Sequence, residues 1–230
     1  MMKKVLSYVF GWCLIIVCVV FSIKMTALNP NFYIPRYEKM NLAQDIGVSQ
    51  KDLNKSIRLL LDYLEDKRED INGKITWYGI EQSTFNEKEK SHMVDVKALY
   101  QNALKTAKGS ALIVCLVFLY FYWNEKEKMF AYLSKGLLSA VASFMVMLMF
   151  FGFWVLTDFT SFWTWFHTVF FSNQLWLLDP NTDFMICMLP ETIFYQIVLS
   201  CAIKVVCFIV LLNGFALYYM VKKAPIGFER

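Results

Sequence analysis

Apolar residues in this chain cluster into four long runs separated by polar stretches, and blocks of that length predict membrane helices rather than soluble ones. A spanning helix needs ~20 mostly apolar residues. Residues 5–23 meet this. Lys3 and Lys4 precede them, as in a secretory signal, but the run is long and no small-residue cleavage site follows, which predicts an uncleaved helix. Residues 109–123 are short and reach full length by taking in 104–108, with Lys105 and Lys108 snorkelling outward. Residues 136–156 form the third run. The fourth covers 192–221 and follows Pro190, which suits a helix start.

The stretch 24–108 is too polar to span and is long enough for a small cap. Ser49-Gln50-Lys51-Asp52 reads as a capping box with Asp in place of Glu. Behind it, Leu53, Ile57, Leu60, Leu61 and Leu64 share one helical face. Asn72-Gly73 reads as a turn and 75–78 as a short strand. A second amphipathic helix is expected from about Glu87, with Met93, Val96, Leu99 and Ala103 on its apolar face and His92 one turn before Val96. Between the third and fourth runs, Phe159, Phe162, Phe166 and Phe170 recur at helical spacing beside a stripe of Trp163, His167 and Phe171. That segment is too polar to span and too aromatic for water, so an interfacial or re-entrant helix is expected.

The predicted fold class is therefore an all-α membrane protein with four transmembrane helices and a small, mainly helical extracytoplasmic cap. The expected divisions are 1–23, first span; 24–103, cap; 104–156, second and third spans with a short turn; 157–191, aromatic interfacial segment; and 192–230, fourth span and tail.

Composition agrees, since 57% of the residues are apolar, too many for a soluble chain of 230 residues. The net charge of +4 is too mild to suggest nucleic-acid binding. Its distribution sets the orientation. Basic residues gather at Lys3 and Lys4, at Lys126, Lys128 and Lys135, and at Lys222, Lys223 and Arg230, whereas 158–191 carries only Asp158, Asp179, Asp183 and Glu191. The positive-inside rule places both termini in the cytoplasm and both long connecting segments outside. Five of the six cysteines sit in apolar runs, with only Cys187 in a loop, so no disulfide framework is expected.

Candidate chemistry is sparse. The only two histidines, His92 and His167, both fall on the outer side. No Gly-x-Ser-x-Gly elbow, His-Glu-x-x-His or Cys-x-x-Cys motif and no phosphate-cradling loop is present, so neither a metal site nor a serine nucleophile has a signature. Two imidazoles suit acid–base work, with reference pKa values of ~6.5. Trp163, Phe170, Phe171 and Trp176 are the expected aromatic enclosure. Lys204 lies roughly 20 Å along the fourth helix from Pro190, at ~1.5 Å per residue. A lysine there costs ~2.5–3.5 kcal/mol on insertion scales. It either snorkels or serves the site, pairing with a carboxylate such as Asp158 or polarising a substrate carbonyl.

From these residues alone, an acid–base enzyme, a haem- or metal-binding membrane protein, and a non-catalytic chaperone or sensor all stay open. Two motifs narrow the choice. Phe85-Asn86-x-Lys88-Glu89-x-x-His92-Met93-x-Asp95-Val96-Lys97, and Phe166-His167-x-x-Phe170-Phe171-x-x-x-x-Trp176 ending in Leu189-Pro190-Glu191, resemble the bacterial lipoprotein intramolecular transacylase family. The resemblance implies a plasma-membrane acyltransferase acting on a diacylglyceryl lipoprotein within the lipid, with no cofactor. It implies transfer of the sn-2 acyl chain to the amino group of the N-terminal cysteine, giving a lyso-form, N-acylated product, with His92 and His167 catalytic. Ester to amide is downhill, which agrees. The sequence does not say which histidine is the base.

Overall fold

The computed structural model describes residues 1–223, with side chains through Tyr219. Of the expected basic tail, the side chains of Lys222 and Lys223 and the whole of Arg230 lie outside the described residues. The elements in chain order are α1 (Met2–Ala27), α2 (Pro30–Lys39), α3 (Leu42–Asp45), α4 (Gln50–Leu64), β1 (Lys74–Trp77), β2 (Ile80–Ser83), α5 (Glu87–Asn124), α6 (Met129–Thr157), α7 (Phe159–Phe170), α8 (Phe184–Met188) and α9 (Glu191–Lys223). Among the described residues, α1, α5, α6 and α9 are the four helices long and apolar enough to cross a membrane. The fold of the described residues is thus all-α apart from one small hairpin. The second amphipathic helix and the second apolar run form one helix of 38 residues.

The chain divides into two compact units. One comprises Met1–Ser22, Leu104–Trp154 and the described residues from Cys201 onward. Small residues form its tightest seam. A Cβ on Gly136 would collide with the backbone and Cβ of Ser7, and one on Gly11 would lie 2.7 Å from Ala140 Cβ. Ser7 and Gly11, like Gly136 and Ala140, are four apart, so each pair lies on one face of its helix and lets the α1 and α6 backbones approach. Tyr8 Oη and Ser143 Oγ hydrogen bond at 2.9 Å along the same seam. Val117, Phe121, Met129 and Leu133 make an apolar cluster around the α5–α6 turn. Lys3 pairs with Glu125. Only 17% of the most apolar stretch of α5 and 11% of that of α9 is buried in the protein. Apolar faces turned outward to this degree call for lipid as solvent.

The second unit comprises Ile23–Ala103 and Val155–Ser200. In it α4 starts at Ser49, whose Oγ accepts the Asp52 N–H at 3.0 Å and donates to Asp52 Oδ2 at 2.9 Å. Leu53, Ile57, Leu60 and Leu61 on its predicted face are buried, and Leu64 is half-buried. Tyr37 and Phe85 are fully buried in the same unit. Helix α2 escaped the sequence reading. Its start is fixed by Asn29, which accepts the Asn31 N–H at 3.0 Å, and by Pro30 at the first helical position.

The expected lone strand at 75–78 is half of a hairpin that pairs Lys74 with Ser83 and Trp77 with Ile80. Its two-residue loop, Tyr78-Gly79, has φ of 48° and 82°, the left-handed pair that a tight hairpin turn requires. Asn72-Gly73 leads into β1 as irregular chain rather than as a turn.

Candidate active site

His167 is delivered by α7. Asp158 caps this helix, its Oδ1 accepting the Ser161 N–H at 3.0 Å. Positions 163, 167 and 171 then fall on one face at a spacing of four. The imidazole is buried, and its Nδ1 lies 2.7 Å from the carbonyl oxygen of Trp163. A carbonyl only accepts, so Nδ1 carries the proton and Nε2 keeps its lone pair. Aromatic rings fix the imidazole on several sides. Trp176 stacks on it at 4.8 Å, and Trp163 and Phe166 meet it edge-on at 4.8 and 5.5 Å.

His92 is delivered by the polar first part of α5. Asn86 and Glu89 make a reciprocal capping box there: Asn86 Oδ1 accepts the Glu89 N–H at 3.0 Å, and Glu89 Oε2 accepts the Asn86 N–H at 2.6 Å. One turn on, the His92 ring is buried, its centroid 6.2 Å from that of His167. Phe171 touches both rings, at 5.2 Å from His92 and 5.7 Å from His167. His92 Nδ1 is buried with no hydrogen-bond partner in the structure. An imidazole nitrogen left unsatisfied inside an aromatic cage is uncommon in a purely structural histidine.

Burial sets the charge of the pair. It holds the His92 pKa down at about 4, helped by the neighbouring His167 and opposed by Asp95. It also lowers His167, opposed by the Trp163 carbonyl that hydrogen bonds its ring. Both imidazoles are therefore uncharged near neutral pH, each offering one N–H and one lone pair.

Of the residues singled out in the sequence, His92, His167, Trp163, Phe171 and Trp176 come together in this unit. Phe166 joins them. It lay in the quoted motif, and its edge-on contact with His167 is what the spacing alone did not convey. Phe170 is half-exposed and packs at 4.8 Å on Phe166, not on an imidazole. Lys204 belongs to the other unit, on α9, and has no ion-pair or hydrogen-bond partner among the described residues. Its expected partner Asp158 is engaged in capping α7.

Two carboxylates, one inside the quoted motif and one in the acidic outer segment, were given no role by the sequence. Glu89 is buried beside His92 in sequence and also accepts the Met185 N–H at 2.5 Å. Asp183 is buried and accepts from Asn86 Nδ2 at 2.7 Å and from the Asp179 N–H at 2.8 Å. Asp95, also in the motif, accepts from Asn173 Nδ2 at 2.8 Å. Among the described residues, no group of three or more His, Cys, Asp or Glu side chains is arranged to hold a metal ion. A groove of about 750 Å³ lined by Lys51, Lys55, Arg58 and Arg68 contains neither histidine. The caged imidazoles mark the chemistry better than that groove does.

Comparison with known proteins agrees with this geometry. Residues 8–195 match the family described as lipoprotein intramolecular transacylase Lit. The solved structure of the membrane integral lipoprotein intramolecular transacylase Lit from Bacillus cereus has the same fold, with a TM-score of 0.78 at 18% identity over 96% of this chain and 97% of that one. Two forms of the Bacillus cereus protein with one histidine replaced, by arginine or by alanine, give TM-scores of 0.72 and 0.73 at 17% identity, covering 96% of this chain and 93% and 95% of theirs. No curated protein sequence matches this chain. The match spans well over half of the chain, and the protein belongs to the lipoprotein intramolecular transacylase family, enzymes that transfer acyl groups within membrane-anchored lipoproteins.

Proposed function

We propose that this enzyme moves the sn-2 acyl chain of a diacylglyceryl lipoprotein to the amino group of its N-terminal cysteine, using His92 and His167 as a metal-free acid–base pair. The observation that carries the reading is the pair itself: two buried, uncharged imidazoles 6.2 Å apart in one aromatic cage. The reaction asks for this. The α-amino group, with a reference pKa of ~7.7–8.0, attacks only when neutral, and it sheds a further proton as the amide forms. The departing glyceryl oxygen gains one proton, so the exchange balances.

His167 is the proton acceptor in this reading. Its Nε2 lone pair is free, and the Trp163 carbonyl on Nδ1 favours the imidazolium that results. His92, whose Nδ1 has no partner within the protein, relays the proton: it gives its own N–H to the departing glyceryl oxygen and takes a proton back from the His167 imidazolium, so both rings end neutral. Acceptor and ester belong to one molecule, so bringing them together supplies most of the acceleration; such orientation is worth up to ~7–11 kcal/mol. Trp163, Phe166, Phe171 and Trp176 exclude the water that would hydrolyse the ester instead. The charge pattern supports an outer-leaflet site in the plasma membrane with both termini cytoplasmic.

The test is mass spectrometry of a lipoprotein's N-terminal peptide after co-expression. Wild type yields an N-acylated, mono-O-acyl peptide; His92→Ala and His167→Ala leave it as the diacylglyceryl form. Full conversion by either variant refutes the two-histidine mechanism, and conversion by neither variant nor wild type refutes the transfer itself.

A further inference from the structure

The chain from Phe171 to Met185 runs antiparallel beside the start of α5 and is tied to it in register. Asn173 bonds to Asp95, Lys88 Nζ to the Leu177 carbonyl oxygen, Asn86 to Asp183, and the Met185 N–H to Glu89. These ties lie on both sides of His92 along the helix. The strap they hold carries Phe171 against His92 and Trp176 against His167. The two ends of the strap differ. The Asp95–Asn173 bond is solvent-exposed, whereas Glu89 and Asp183 are 1% and 3% exposed.

The buried end is closed by two carboxylates whose oxygens all accept hydrogen bonds. Asp183 begins α8, but its carboxylate makes no bond to that helix. It turns instead to Asn86, the Asp179 N–H and Thr182 Oγ1, with Lys88 Nζ 3.7 Å away. The free N–H of Met185 in the first turn of α8 is taken by Glu89, which also serves the first turn of α5. Glu89 therefore caps two helices from one carboxylate, each oxygen spoken for. Burial raises its pKa to about 6, as expected of a carboxylate kept from water for structural reasons.

We propose that Asn86, Glu89 and Asp183 are positioning residues for the transfer: they fix the register between the helix bearing His92 and the strap whose rings orient both imidazoles. The assignment rests on the two-histidine reading and adds to it three residues that touch neither imidazole nor substrate. Misplacing reacting groups by about 1 Å costs on the order of 100-fold in rate, so a slip of this register shows in kcat.

An exchange experiment isolates the role. Asn86→Asp sets two carboxylates against each other, and Asp183→Asn either breaks the bond to Asn86 or turns an amide N–H toward the Asp179 N–H. The double variant Asn86→Asp/Asp183→Asn restores the bond between 86 and 183 with the donor reversed: Asp at 86 accepts from the new amide, whose oxygen still accepts the Asp179 N–H, while Thr182 Oγ1 turns from donor to acceptor and Lys88 keeps an oxygen but no full charge opposite it. Full-length variants in detergent are assayed on a synthetic S-diacylglyceryl-cysteinyl peptide, with the folded fraction of each measured by thermal shift. Each single exchange is expected to lower kcat per folded enzyme roughly 10- to 100-fold with little change in KM, and the double exchange to return it to within about threefold of wild type. Singles that keep wild-type kcat, losses no greater than the loss of folded protein, or a double variant no faster than the singles overturn the assignment. His92→Ala and His167→Ala run alongside. If those stay active the catalytic reading fails; if only they are inactive, the positioning role fails alone.

Discussion

Two stretches outside the spans, 24–83 and 158–190, are built on opposite plans. The first closes over an apolar core in which Leu53 and Ile57 are fully buried and Leu60 and Leu61 nearly so. The second buries Met185, Met188 and Leu189 at its far end, but around His167 it is built differently. It is held by aromatic rings around His167 and by side-chain hydrogen bonds to α5. The contrast separates two tasks. Aliphatic packing tolerates exchange of shape as long as volume is kept. Hydrogen bonds and ring contacts set directions and distances, which is what the proposed proton transfer between two imidazoles demands. Stability is therefore concentrated in 24–83 and geometric control in 158–190.

Substitutions break this comparison at either end. The largest effect is expected at the imidazoles, where His167→Ala or His92→Ala lowers the rate per folded enzyme by ~10²–10⁴-fold with little change in melting temperature. Single-turnover mass spectrometry beside thermal unfolding checks both halves of that statement. Leu53→Ala should do the reverse, destabilising by about 2–5 kcal/mol in denaturant titration while the folded fraction turns over normally.

Acid sharpens the picture. The His92 pKa of about 4 lies below the ordinary 6.5, so the fold is favoured while the ring is neutral. That contribution is complete above pH 6.5 and drains away as the pH falls toward 4. It amounts to on the order of 3 kcal/mol. Wild type should lose that stability between pH 6.5 and 4 while His92→Phe, with no ring to protonate, does not, so their melting temperatures should shift relative to each other, at wild type's expense, as the pH falls from neutral. The smallest effect is at the cap of α4, where Ser49→Ala should cost about 1 kcal/mol of stability and no activity per folded molecule.

Much of this was legible in sequence, for reasons that the elements make plain. Spans announce themselves because lipid requires long uninterrupted apolar runs. The stripe of Trp163, His167 and Phe171 follows from helical period once α7 is granted. What stayed hidden depends on pairing across distance. Asn86…Glu89 has the spacing of a capping box, yet nothing local says that both also serve residues near position 184. Strand β2 is exposed throughout and lacks any alternation. Pro35 inside α2 argued against a helix there. Lys204 drew attention by its charge, but a long side chain on an apolar helix needs no partner when it can reach a polar boundary.

The anchor on His167 is a main-chain oxygen one helical turn back, not a side chain. No replacement of the residue at 163 removes that oxygen, so the protonation pattern of the ring is inherited from the helix rather than from any neighbour's identity. Trp163→Phe or Trp163→Leu therefore alters the wall of the cage while the tautomer stays put, so the shape of the enclosure and the protonation of the ring inside it can vary independently.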